Sequence, residues 1–227
     1  MLDFSVIRDN LDYLLWGTYP DGPLGGAALT LVLSSIGGAA SALLGVAGGV
    51  ALTMARGWRA RLLQALLDVL RAIPVLMLIF WLYFLLPIVF GINAPEIGTV
   101  VCALALIGGA YLSHAVHAGI VAVGRGQWLA GLSLGLSEWQ TLRLVVLPQA
   151  LRMMVPSFIN QWISLIKDTS LAYIIGVGEL TFLATQVNNR AMVYPTEVFL
   201  FVALIYLLIC GSLELAALAY ARRFRTI

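Results

Sequence analysis

An all-α, polytopic membrane protein with five transmembrane helices is the architecture expected of this chain. Of its 227 residues, 61% are hydrophobic and only 11% charged, and the mean hydropathy is +0.98, far from the balance of a soluble globular domain. The apolar residues gather into five runs near the length needed to cross a bilayer, roughly 20 residues. Arginines collect in the connections between alternate runs, the pattern that orients spans in a membrane.

Residues 1–24 form an N-terminal segment with no basic stretch ahead of an apolar one, so a cleaved signal peptide is not expected. Phe4, Ile7, Leu11, Leu14 and Leu15 recur at helical spacing among Asp3, Asp9, Asn10 and Asp12, which predicts a short helix lying on a membrane surface. The transmembrane domain, 25–227, follows. Its first span covers about Gly25 to Ala55, the second about Ile73 to Phe90 and the third about Ile97 to Val123. A fourth begins near Gln149 and reaches Ile175, and a fifth covers about Thr196 to Tyr220. Residues 176–195 are too polar for another crossing and suit a short segment near the outer surface or packed on other helices. In the first span Gly37, Ser41, Gly45 and Gly49 form a stripe of small residues that admits another helix closely, either within one subunit or between subunits.

Arg56, Arg59, Arg61 and Arg71 follow the first span, Arg125, Arg143 and Arg152 flank the connection between the third and fourth, and Arg222, Arg223 and Arg225 end the chain. Arg8 and Arg190 stand on the opposite side with Asp3, Asp9, Asp12, Asp21 and Glu96. The N-terminus is therefore expected outside and the C-terminus in the cytoplasm. A net charge of +2 gives no footprint for nucleic acid. Cys102 and Cys210, without ligand-type neighbours, read as small hydrophobes.

The cytoplasmic connection at about 124–148 interrupts the apolar text. Gly124, Arg125 and Gly126 break the third span, and Gln127 to Leu134 suits about two helical turns ended by Gly135 at a left-handed position. Ser137 and Gln140 form a capping-box pair that starts a second short helix, with Trp139, Leu142, Val145 and Val146 on one face. That helix is expected to run to Pro148, which then opens the fourth span. Small residues (Ala130, Gly131, Ser133) on the first helix suit docking against another protein, and a loop resting on lipid is the alternative.

The residues Leu129-Ala130-Gly131, three more, Gly135, nine more, then Val145-Val146-Leu147-Pro148 resemble the EAA signature of ABC importer permeases. Its pattern is Glu-Ala-Ala, three residues, Gly, nine residues, Ile, any residue, Leu, Pro. Leu70-Arg71-Ala72-Ile73-Pro74, WLYFLLP at 81–87, LPQALR at 147–152 and SLIKDTSLAYIIGVGEL at 164–180 are similar to the polar amino-acid branch, most of all to glutamate/aspartate permeases. The resemblance implies a type I ABC importer (MetI-like) permease fold in a bacterial inner membrane. It also implies that Gln127, Leu129, Ala130, Gly131, Ser133, Gly135, Leu147 and Pro148 belong to a coupling element docking on a separate ATPase. That ATPase would bind ATP-Mg, while this chain, lacking a P-loop, binds no cofactor and is not an enzyme. The implied partners are ABC ATPase subunits, this chain itself or a sister permease as a dimer, an extracytoplasmic amino-acid-binding protein and membrane lipid. Leu129 replaces the signature glutamate, and His114 and His117 replace a glutamate and an arginine in the similar segment Tyr111 to Ile120.

Lys167 and Asp168 are adjacent charges inside the fourth span, followed by Thr169 and Ser170, with Glu179 close by. Intramembrane charges are costly and face protein interior or water, so Lys167, Asp168, Thr169 and Ser170 are candidates for lining a substrate pathway; a structural ion pair or hinge is the other reading. His114 and His117 share a helical face but have no third ligand nearby for a metal. A secondary transporter or channel subunit not driven by ATP is the rival function.

Overall fold

The computed structural model describes residues 4–93, 95–191 and 195–224, and among these residues there are helices and no strand. Asp3 and Arg225, counted above toward orientation, lie outside the described residues. The first helices are α1 (Ser5–Asp9), α2 (Leu11–Trp16), α3 (Gly26–Met54) and α4 (Trp58–Ala72). Next come α5 (Val75–Phe80), a π-helical turn at Trp81–Leu85, α6 (Leu86–Phe90) and α7 (Glu96–Ala122). The chain continues through α8 (Arg125–Ser133), α9 (Glu138–Thr141), a second π turn at Leu142–Val146 and α10 (Leu147–Asp168). A 3₁₀ stretch at Thr169–Ile175, α11 (Leu180–Ala191) and α12 (Pro195–Phe224) complete it.

Among the described residues, four continuous helical stretches are long and apolar enough to cross a membrane: Gly26–Met54, Glu96–Ala122, Glu138–Ile175 and Pro195–Arg222. The expected second span is the shorter stretch Val75–Phe90, and it meets α4 at a bend of 96°. Pro74 makes that corner by holding Ile73 in extended backbone (φ −80°, ψ 125°). α4 was not foreseen. Leu62, Leu66 and Val69 recur along one of its faces, exposed, among Arg59, Arg61, Gln64 and Asp68. That is the build of a helix lying along a membrane surface, and its arginines obscured the helical period in the sequence.

α3 and α7 run parallel and form the tightest seam. A Cβ added at Gly37, Gly45 or Gly49 would fall against Leu104, Leu112 or Val116, and one added at Gly108 would fall against Ser41. The partners advance together in steps of four residues on both helices, so the small-residue stripe serves packing within this chain. Between helices in lipid, apolar burial gains little over lipid contact, and such close approach supplies the dispersion energy instead.

The N-terminal segment departs from expectation. It forms two short helices, and Val6, Ile7 and Leu14 are buried with Leu180, Leu183, Val187, Val198 and Val202 of α11 and α12. Among its described residues, Phe4, Leu11, Trp16 and Tyr19 keep part of the apolar surface exposed. α11 is the packed, non-spanning segment expected at 176–195.

The fourth span also differs. Pro148 opens no new helix, because Glu138–Ile175 runs on as one helical stretch. The π turn just before it resolves the conflict. Leu147 N–H reaches back five residues to Leu142 O, which shifts the carbonyls away from the proline ring that an α-turn would strike. Leu86 N–H does the same to Trp81 O ahead of Pro87.

Candidate functional site

Two regions carry the polar chemistry. The first is the knob between the third and fourth spans. α7 ends at Ala122, Gly124 turns the chain at φ +82°, and α8 projects. Gly135 adopts φ +80°. Gly135 N–H donates to Leu132 O and Leu136 N–H to Gly131 O, a pair of bonds that caps the orphan carbonyls of α8. The capping box forms as read from the sequence: Gln140 N–H donates to Ser137 Oγ at 3.2 Å, and Ser137 N–H donates to Gln140 Oε1 at 2.8 Å.

Gly131 is buried, and a Cβ there would stand 2.6 Å from Thr141 Cγ2, so glycine lets α8 lie on α9. Gln149 Nε2 donates to Gln127 Oε1 at 3.3 Å, tying α8 to the fourth span. Arg56, just past α3, grips Glu138 through bonds of 2.7 and 2.8 Å. Leu142 and Val146 are fully buried against α7 and α10, Val145 is half-buried, and Trp139 is exposed. What remains outward is Gln127, Leu129, Ala130, Leu132, Ser133 and Leu134, with Pro148 exposed and Leu147 half-buried at the root. Three exposed leucines on a capped, anchored knob make a rigid apolar contact surface.

The second region is a cavity of about 500 Å³ whose polar wall is Arg71, Tyr111, Gln161, Ser164 and Asp168. Asp168 is thus brought to a cavity, whereas Lys167 is exposed and does not line it. Thr169 Oγ1 donates to Ile166 O at 2.7 Å and Ser170 Oγ to Lys167 O at 2.6 Å, so both hydroxyls serve backbone carbonyls where α10 tightens into 3₁₀. Arg71 holds its guanidinium 4.9 Å over the Tyr111 ring, and its Nε is buried without a hydrogen-bond partner. Arg71, Gln161 and Ser164 were missed. Gln161, Ser164 and Asp168 recur at i, i+3 and i+7, a signal of one polar helical face available in the sequence.

His114 and His117 diverge. His117 Nδ1 lies 3.0 Å from Thr53 Oγ1, which gives its own proton to Gly49 O, so the ring donates. His114 Nε2 stands 3.1 Å from Asp68 Oδ1. Glu179 is fully buried between α11, α3 and α12. Its carboxyl accepts from Thr181 N–H at 2.9 Å, Phe182 N–H at 2.8 Å and Tyr206 Oη at 3.2 Å. It lies outside the candidate spans, and burial pushes it up to about 7 against these stabilising bonds.

A family described as binding-protein-dependent transport system inner membrane component matches residues 24–226. The chain belongs to that family. It is 35% identical over 207 residues to the glutamine transport system permease protein of Escherichia coli strain K12, covering 89% of this chain and 92% of the relative. It is 31% identical over 235 residues to the glutamate/aspartate import permease protein of Escherichia coli O6:H1, strain CFT073, covering 97% of each. Among solved structures, the crystal structure of an amino acid ABC transporter with histidines superposes with a TM-score of 0.84 at 25% identity, covering 99% of this chain and 100% of that one. The MetNI methionine ABC transporter superposes at 0.70 and 20% identity, over 84% of this chain and 92% of that one, and shares the MetI-like fold. The chain is an ABC importer permease and an integral membrane protein.

Proposed function

We propose that this chain is the permease subunit of an ATP-driven importer of polar amino acids, paired with itself or a sister permease in a bacterial inner membrane. The capped knob at 124–148 faces the cytoplasm and docks on an ATPase subunit that binds ATP-Mg; a binding protein delivers the substrate from outside, where the N-terminus lies. The observation that carries the reading is the match to the permease family across nearly the whole chain, together with a stiff apolar knob at the place of the signature. Stiffness matters because a floppy loop would absorb the displacement that nucleotide-driven closure of the ATPases delivers.

The Arg71–Asp168 cavity is the substrate pathway in this reading. A zwitterion needs one cation and one acceptor, and the buried, unpartnered Arg71 Nε supplies a donor for a carboxylate while Asp168 faces the ammonium group. Glutamine is favoured over glutamate by the higher identity to the glutamine relative, and an uncharged side chain places no second anion in a cavity that already holds Asp168. The test is uptake by the complete complex, purified with its associated subunits and reconstituted in vesicles. ATP-dependent accumulation of glutamine, abolished by a hydrolysis-deficient ATPase, is expected; uptake that persists without ATP would overturn the reading.

A further inference from the structure

The seam between α4 and α7 holds one carboxylate and two claimants for it. Asp68 Oδ1 lies 3.4 Å from Arg71 Nη1 and 3.1 Å from His114 Nε2. The imidazole nitrogen is buried, and its approach to Asp68 is out of line for a hydrogen bond. Arg71 reaches the cavity from this same seam. Its guanidinium rests on Tyr111, whose hydroxyl donates to Arg71 O at 3.4 Å, and among the described residues of the seam Asp68 is the carboxylate that opposes its charge. Neither α3 nor α5 carries an ionisable residue, His117 is turned to Thr53, and Asp168 of α10 faces the shared cavity.

We propose that Asp68 is the positioning residue for Arg71: it holds the guanidinium at the mouth of the cavity, and position 114, whose imidazole stands 3.1 Å from the same carboxylate oxygen, is where a cation would draw Asp68 away. With the Asp68 side chain 50% exposed, the Asp68–Arg71 pair is weakly held, and a charge placed beside it redistributes it. This inference rests on the cavity being the substrate pathway, and Arg71→Gln tests that premise separately.

The experiment measures uptake kinetics of the reconstituted complex at one fixed pH. Asp68→Asn raises KM by up to about fivefold, as suits an exposed ion pair, with kcat within about twofold, since binding and not turnover loses the contact. Asp68→Glu restores most of the lost affinity, and it serves where Asp68→Asn does not assemble. His114→Arg, which sets a permanent cation beside Asp68, raises KM likewise and adds nothing further in the Asp68→Asn background. If Arg71→Gln raises KM while Asp68→Asn and His114→Arg leave it unchanged, the positioning role is overturned and the pathway stands. If Arg71→Gln leaves KM unchanged, the cavity is not the pathway, and the positioning role falls with it.

Discussion

Gly45 and Leu112 leave no room for a side chain between them, since a Cβ on the glycine would land on Leu112 Cβ. Gly45→Val should therefore push α3 off α7. Overpacking of this kind costs about 1–3 kcal/mol, which thermal unfolding of the detergent-solubilised protein will read as a lowered Tm. Gly211→Val on α12, where open space surrounds the position, is the neutral control.

Gly135 has the opposite geometry: nothing lies within 4 Å, but φ is +80°. Gly135→Val is strained by backbone alone, at about 1–3 kcal/mol, and Gly135→Asn, which tolerates this region, is nearly neutral. Membrane insertion should be unchanged in both. Stimulation of ATP hydrolysis by loaded binding protein should fall in the valine variant only.

A methyl group at residue 131 meets Thr141 instead. Gly131→Ala should loosen α8 from α9 and speed proteolysis of the knob, and Thr141→Ala in the same chain should return the rate toward that of the unaltered protein, because it clears the atoms at 2.6 and 2.8 Å. Equal proteolysis rates in the single and double variants would show that this contact does not set the knob.

Glu179 makes stability depend on pH in a stated direction. Its carboxyl is raised from 4.5 to about 7 in the folded protein, so between those values the folded state holds more protons than the unfolded one. Stability then falls as pH rises across that window and levels off above it. Glu179→Gln should remove this component of the slope. Tm measured at steps across the window, in both proteins, is the check.

Much of this architecture was legible in the sequence, for identifiable reasons. Span lengths follow from apolar runs, and the knob was readable residue by residue because Gly135, Ser137 and Gln140 act through local backbone geometry. Long-range choices were not. Val6, Ile7 and Leu14 have the spacing of a surface helix, and only the presence of α11 and α12 decides that they are covered by protein. Likewise Arg71 looks like any orienting arginine until α7 and α10 enclose it with Asp168. Lys167 and Asp168 are neighbours in the chain, and a helix sends neighbours about 100° apart, so only one of them reaches the cavity.

The paired π turns before Leu86-Pro87 and Leu147-Pro148 set the phase of two membrane-crossing helices. One surplus residue rotates everything on one side of it by about 100° relative to an uninterrupted α-helix. Removing the proline removes the steric reason for the surplus, and the helix can rewind by that angle. At Pro148 such rewinding would swing the outward leucines of the knob around the axis of the fourth span, so a single ring sets the compass bearing of that apolar surface.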